Sequence, residues 1–273
     1  MQESTNSVAE ALSRIDGVVA VGLGGSRGLG LSDQNSDFDF ILFRETSDPI
    51  SGQSIEAAIK HLSAQKECRA TGNFIQAEIS GRKIEVFQKD LSVVRHELRM
   101  AKEGKFRWTA HPLYPHGDLS TRQLAHLVST QICSEVGAVI SRLQEHALPL
   151  PSALKSALLR FFLKQASYSR THAGKITKKD DLQNLMALVS GFIYFVNIVI
   201  FSLNDMYPIL EKGGARIIAT LPDRPKDYEV VVEKLFRAGL EGNLDFLMRL
   251  SGGLLQTLEG RAQVALDAIC KQN

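Results

Sequence analysis

Short apolar segments separated by polar, glycine-containing stretches dominate the first 118 residues. The four clearest are GVVAVGL, FDFILF, NFIQAEI and KIEVFQ. Apolar runs of this length, bounded by Gly, Ser, Asn and Asp, are typical of β-strands. Between the second and third lies SIEAAIKHLSA, in which apolar residues recur at a helical spacing. The pattern predicts an α/β domain over residues 1–118, with the last two strands joined as a β-hairpin through Ser80 and Gly81.

From Leu119 onward the apolar residues follow a helical spacing nearly throughout. Breaks rich in Pro, Gly or polar residues are expected at 148–151, 171–179, 207–208, 221–225 and 251–253. The pattern therefore predicts an all-α helical domain over residues 119–273. The segment HPLYPHGDL, rich in Pro and His, is the expected link between the two domains.

Residues 185–203, LMALVSGFIYFVNIVIFSL, carry no charge and are long enough for a membrane span. Ser190, Gly191 and Asn197 interrupt the segment, and the charges on its two flanks show no basic bias to one side. A helix surrounded by neighbours in a bundle is equally apolar on all faces. We therefore expect a buried central helix and no membrane partner.

Composition restricts the classes of partner. The formal net charge is +2, with 23% charged residues, which provides no dominant field for nucleic acid or an anionic membrane. The three cysteines, Cys68, Cys133 and Cys270, are far apart and lack CxxC spacing, so neither a disulfide framework nor a zinc site is indicated. The N-terminal stretch has no pattern of a secretion signal. We expect a cytoplasmic protein that recognises its ligand through a localised site.

The segment GGSRGLGLSDQNSDFDF, residues 24–40, carries the candidate chemistry. Asp37 and Asp39 are two residues apart at the start of a strand, so they project from the same face and repel each other unless a cation lies between them. Mg²⁺ is commonly held by one or two carboxylates together with substrate phosphates. Gly25 and Ser26 follow the first strand, where backbone N–H groups and a hydroxyl can approach a phosphate. Together they indicate a site for a metal-bound nucleoside triphosphate.

Each part of this pattern is common by itself. Gly-Gly-Ser is a frequent turn, and Asp-x-Asp before a strand is more often a solvated edge. The glycines do not match GxGxxG, and the Gly-Lys-Ser/Thr ending of a P-loop is missing.

The combination is more specific. Gly25-Ser26, ten residues, then Asp37-x-Asp39 resembles the signature of nucleotidyltransferases of the polymerase beta superfamily. Gly-Ser-Arg-Gly with Ser-Asp-Phe-Asp is similar to the small antibiotic nucleotidyltransferases that modify lincosamides or aminoglycosides. The resemblance implies a small mixed sheet with flanking helices, followed by a helical domain.

The resemblance also implies a third carboxylate on a later strand, and Glu85 is the preferred candidate because apolar residues flank it. Glu78 is the competing candidate, and glutamate itself departs from the more usual aspartate. By the resemblance, Asp37, Asp39 and Glu85 would hold two Mg²⁺ ions, or Glu85 would act as a general base. Arg27 and Lys212 are candidate nucleotide-binding residues; the simpler interpretations are an exposed loop arginine and a solvated lysine at a helix end.

Three functional hypotheses follow. The first is transfer of a nucleoside monophosphate, AMP from ATP, to a hydroxyl of a small molecule such as an antibiotic. The second is a protein-modifying nucleotidyltransferase of toxin–antitoxin type. The third is a nucleotide-binding module without turnover, against which the intact carboxylates argue.

Overall fold

The computed structural model describes residues 2–34, 36–62, 69–71, 74–79, 81–111, 114–176, 181–209 and 214–271. The chain forms two compact units, each made of two segments. The first unit contains Met1–Arg99 and Gln123–Leu148, and the second contains Met100–Arg122 and Pro149–Asn273. This division differs from a single boundary after residue 118, because residues beyond it return to the sheet of the first unit.

The described residues contain eight strands and eleven α-helices. The strands are β1 (Val18–Leu23), β2 (Phe38–Arg44), β3 (Arg69–Thr71), β4 (Phe74–Ile79), β5 (Arg82–Asp90), β6 (Trp108–His111), β7 (Tyr114–Leu119) and β8 (Gln131–Glu135). The helices are α1 (Gln2–Ser13), α2 (Gly25–Gly28), α3 (Gly52–Ile59), α4 (Leu91–Lys102), α5 (Arg122–Ser129), α6 (Val139–Ala147), α7 (Ser152–Ala173), α8 (Leu182–Leu203), α9 (Gly214–Ile218), α10 (Tyr228–Glu241) and α11 (Leu244–Cys270).

The first unit contains a six-stranded sheet in the order β3-β4-β5-β2-β1-β8. β2 and β5 are parallel, and the other neighbouring strands are antiparallel. The antiparallel β4–β5 pair confirms the predicted hairpin; Ser80 itself lies outside the described residues, and Gly81 has the positive φ of 73° that a tight turn requires. The mixed sheet followed by a mainly helical region agrees with the expected fold class.

At the start of β2 and along β5, side chains alternate between a buried apolar face of the sheet and a more polar face; farther along β2, Ile41 and Phe43 on the second face are also buried. Phe38 and Phe40 of β2 and Ile84 and Val86 of β5 are buried in one hydrophobic core. The core is completed by side chains of α1 and α3: Val8, Leu12, Ile55 and Ile59. Because successive side chains of a strand point to opposite faces, the residues between these apolar positions lie on the other face.

Replacing Phe40 by Ala is expected to lower the free energy of unfolding by about 3–5 kcal/mol, since a fully buried ring would leave a cavity. Urea unfolding followed by circular dichroism measures the loss. The control is Val93→Ala, because Val93 is an exposed apolar residue in the same unit, and its loss should stay within about 0.5 kcal/mol. A Phe40→Ala protein as stable as this control would contradict the core described above.

α8 is the most deeply buried helix of the second unit among those described, and it packs against α7, α10 and α11. It is long and apolar enough to cross a membrane by length and composition alone, and 67% of its most apolar stretch is buried inside the protein. That burial is the packing expected of the central helix of a bundle.

The segment expected to link the two domains is instead part of a β-hairpin. β6 and β7 pair as a two-stranded antiparallel sheet. Trp108 of β6 donates a hydrogen bond to the carbonyl of His116 at 2.8 Å and contacts the rings of Phe161 and Phe195. Prolines and histidines made this segment resemble a loop, but contacts of the tryptophan ring hold it as a strand pair.

Two further expectations for the second half are wrong. Residues 131–135 form strand β8, which pairs with β1; a strand of five residues is too short to interrupt a helical pattern visibly. α11 continues through residues 251–253, where a break was expected. The Ser251 hydroxyl donates to the Leu247 carbonyl within the helix, and an added Cβ at Gly252 would lie 2.8 Å from the Arg170 guanidinium. These residues serve helix packing rather than a turn.

Candidate active site

Three acidic residues of the sequence prediction lie on neighbouring strands. Asp37 immediately precedes β2, Asp39 belongs to β2, and Glu85 belongs to β5. In the parallel β2–β5 pair, Asp39 lies directly opposite Glu85, so both residues are on the polar face of the sheet. Glu78, the competing candidate, is on β4, which is separated from β2 by β5.

Lys83 lies among these carboxylates and was not singled out from the sequence. Its ammonium group is 3.2 Å from Asp37 Oδ2 and also forms an ion pair with Glu85 Oε1. Lys83-x-Glu85 has the same two-residue spacing as Asp37-x-Asp39, which is the signal that could have found it. The hydrogen bond to Glu85 raises the pKa of Lys83, and contact with Asp37 adds to this effect; together they outweigh partial burial, which lowers the pKa, so the amine stays charged at neutral pH.

Glu85 is more enclosed than Asp37. Its side chain is 15% exposed, against 42% for Asp37. The Gln76 amide of β4 donates a hydrogen bond to Glu85 Oε1 at 2.9 Å. The amide thus fixes the orientation of the Glu85 carboxylate from the side opposite to β2.

The glycine turn lies directly against Asp39. The Gly24 backbone N–H donates to the Asp39 carbonyl at 2.8 Å, which ties the end of β1 to β2. Gly25 has a φ of 55°, in the left-handed region, and an added Cβ there would overlap the Asp39 carboxylate. Ser26 follows in the short helix α2 and is half-buried. The geometry therefore places Gly25 against the Asp39 carboxylate, with Ser26 as the next residue; phosphate binding by Gly25 and Ser26 stays a prediction.

The Arg27 side chain holds the loop before β2. Its guanidinium donates to the carbonyls of Ser36 at 2.7 Å and Asp37 at 3.0 Å, and it lies 3.7 Å from the centre of the Phe38 ring. These contacts position the backbone that carries Asp37. The contact between Arg27 and a substrate phosphate stays a prediction.

Replacing Arg27 by Gln is expected to lower the free energy of unfolding by about 1–2 kcal/mol, because two carbonyl contacts and the aromatic contact are lost. Urea denaturation measures the change. Arg14→Gln is the matched control: Arg14 is exposed and pairs with Glu10 within α1, so its loss should be below about 0.5 kcal/mol. Equal stability of the two variants would show that Arg27 does not hold this loop.

The carboxylates have the right donor chemistry for Mg²⁺, since all are hard oxygen ligands. Lys83 acts as a stand-in cation, because one positive group already bridges Asp37 and Glu85. Within the described ranges, however, no group of three His, Cys, Asp or Glu side chains converges closely enough to hold a metal ion. The residues fit a metal site chemically, with Lys83 occupying part of it.

One candidate residue and one cavity do not contribute to the site described above. Lys212, a candidate nucleotide-binding residue, lies outside the described residues. A cavity of about 710 Å³ in the first unit is lined by α1, α3 and the loop between β2 and α3, and contains none of the candidate site residues. This cavity is therefore separate from the candidate chemistry.

No protein-family model matches the sequence, and no curated protein matches it. Among solved structures, the chain is similar to a nucleotidyltransferase-like protein from Exiguobacterium sibiricum 255-15, with a TM-score of 0.46 and 10% sequence identity. The similarity covers 100% of this chain and 80% of that chain. At this level of similarity, only the site residues themselves bear on the function of this chain.

Proposed function

We propose that this chain is a Mg²⁺-dependent nucleotidyltransferase that moves a nucleoside monophosphate, AMP from ATP, to a hydroxyl of a small molecule such as an antibiotic. The observation that carries the proposal is the register of β2 and β5, in which Asp39 lies opposite Glu85 and against the Gly25 turn. A carboxylate pair beside a glycine turn combines ligands for a hard cation with a surface for phosphates.

Two groups of residues in the site would have different roles in the transfer. Gly25 and Ser26 would contact the triphosphate, and Asp37, Asp39 and Glu85 would hold Mg²⁺. When bound, Mg²⁺ would neutralise charge on the phosphates and ease deprotonation of the acceptor hydroxyl. The acceptor oxygen forms a bond to the α-phosphorus, the bond to the β-phosphate oxygen breaks, and pyrophosphate leaves.

The proton of the acceptor hydroxyl must be transferred to a base. Glu85 would serve as the base if it is not a metal ligand, because a carboxylate within hydrogen-bond reach of the acceptor can take the proton. Gln76 would keep that carboxylate in one orientation through its hydrogen bond to Oε1. Positioning and charge neutralisation would then supply most of the rate.

The test is incubation of the pure protein with Mg²⁺ and each of the four common nucleoside triphosphates, with a panel of lincosamides and aminoglycosides. Pyrophosphate release and product mass are measured together. A nucleotide-sized mass gain on one compound supports the proposal and names its acceptor class.

The alternatives correspond to other outcomes of the same experiment. A labelled polypeptide instead of a labelled small molecule would indicate a protein-modifying enzyme. Mg²⁺-dependent nucleotide binding without pyrophosphate release, with every acceptor and with cell extract, would indicate a binding module. Absence of both binding and release would contradict the proposal.

A further inference from the structure

Lys83 connects the two strands that carry the proposed ligands. It precedes Glu85 by two residues on β5, and its ammonium reaches across to Asp37, the residue before β2. Asp37, Asp39 and Glu85 together bring three negative charges to one edge of the polar face when ionised. An ammonium between two of them reduces their mutual repulsion in the way a bound metal ion would.

We propose that Lys83 is an internal cation that a divalent metal ion must displace from between Asp37 and Glu85, so that Lys83 sets the metal affinity of the site. This inference rests on the proposed function, because it takes the carboxylates to be metal ligands. It also accounts for the absence of a converged metal-binding group among the described residues: the carboxylates are arranged around an ammonium instead.

The Lys83 side chain is exposed enough to move away from the two carboxylates. Lys83 is 48% exposed, and its ammonium is held by ion pairs rather than enclosed by apolar groups. The Lys83–Asp37 ion pair is worth little by itself, since water competes for both of its exposed partners; in the Lys83–Glu85 pair water reaches mainly the lysine. A divalent ion carries twice the charge of an ammonium and binds several oxygens at once, so it outcompetes the lysine at modest concentration.

The surroundings of Lys83 keep the site ordered after displacement. Glu85 retains the hydrogen bond from Gln76, so its carboxylate keeps an anchor that does not involve Lys83. On the other side, Glu78 of β4 lies directly opposite Lys83 in the β4–β5 register. Side chains opposite each other in an antiparallel pair are neighbours, so a carboxylate is within reach of the displaced ammonium.

The test is the affinity of the full chain for Mn²⁺, a spectroscopic substitute for Mg²⁺, measured from the electron paramagnetic resonance signal of the free ion. Lys83→Met keeps an unbranched side chain only one atom shorter and removes its charge. Loss of the competing ion pairs is expected to tighten Mn²⁺ binding about tenfold. Arg82→Met is the matched control, since it removes a positive charge from the adjacent residue on the other face of β5 and should change the affinity less than about threefold.

A second readout needs no turnover and reports folding at the same time. The rise in unfolding temperature caused by saturating Mg²⁺ should be larger for Lys83→Met than for the unmodified protein, because the metal relieves repulsion that the lysine no longer screens. Circular dichroism at low temperature checks that the variant is folded.

The outcomes separate the two proposals. Tighter Mn²⁺ binding by Lys83→Met supports displacement. Unchanged or weaker binding by this variant overturns it and leaves the proposed function standing, since the unmodified chain still binds metal. If neither protein binds Mn²⁺ at millimolar concentration, the carboxylates are not a metal site, and both the inference and the proposed function fail.

Discussion

An Asp39→Asn protein is expected to lose nucleotidyl transfer by about 10³-fold while remaining folded. Asparagine keeps the shape of the side chain but replaces a charged oxygen with a neutral amide. Asp39 lies opposite Glu85 and against Gly25, so its charge acts where the metal and the triphosphate would meet. Removing one of several repelling carboxylates should change the free energy of unfolding by less than about 1 kcal/mol.

The same substitution at Asp48 provides the control. Asp48 is exposed, lies in the same unit and is absent from the candidate site, so Asp48→Asn should keep full activity. The measurement is the initial rate of pyrophosphate release at saturating ATP and acceptor. If the Asp39→Asn enzyme kept more than about a tenth of the normal rate, Asp39 would not have the proposed role in the transfer.

Replacing Gly25 by Ala is expected to reduce transfer by about 10²-fold or more. Two effects act together, because the φ of 55° disfavours any residue with a Cβ and the new methyl group would overlap the Asp39 carboxylate. The strain should cost about 1–2 kcal/mol of stability. The loss of activity should be larger than this strain explains, since the carboxylate must move from its place beside the turn.

Gly30→Ala is the control that separates backbone strain from displacement of the Asp39 carboxylate. Gly30 has a φ of 68°, but an added Cβ would meet nothing within 4 Å. This variant should therefore lose a similar amount of stability and retain most of the activity. Both variants are compared by urea unfolding and by pyrophosphate release. If Gly25→Ala and Gly30→Ala have the same activity, contact between the turn and Asp39 has no catalytic importance.

The polar face of the sheet could be predicted from the sequence because alternation along a strand is local. Asp37 and Asp39 flank Phe38, whose burial fixes which face the carboxylates occupy. Apolar residues on both sides of Glu85 placed it inside a strand in the same way. That β5 lies beside β2 rather than beside β1 depends on strand order, which alternation does not encode.

Features that depend on distant contacts could not be predicted. β8 is recognisable as a strand through its pairing with β1, more than a hundred residues earlier in the chain. The β6–β7 hairpin depends on the packing of Trp108 against helix side chains from α7 and α8. Lys83 carried a readable signal in its spacing from Glu85, but its contact with Asp37 arises from the parallel pairing of two strands.

The measurement that tests nucleotidyl transfer most directly follows two labels of ATP, one on the α-phosphorus and one on the γ-phosphorus, in separate reactions with an identified acceptor and Mg²⁺. Nucleotidyl transfer at this site predicts that the α-label is recovered on the acceptor, that the γ-label is recovered in pyrophosphate, and that both products disappear with Asp39→Asn. Recovery of the γ-label on the acceptor, or transfer that persists in Asp39→Asn, would contradict it.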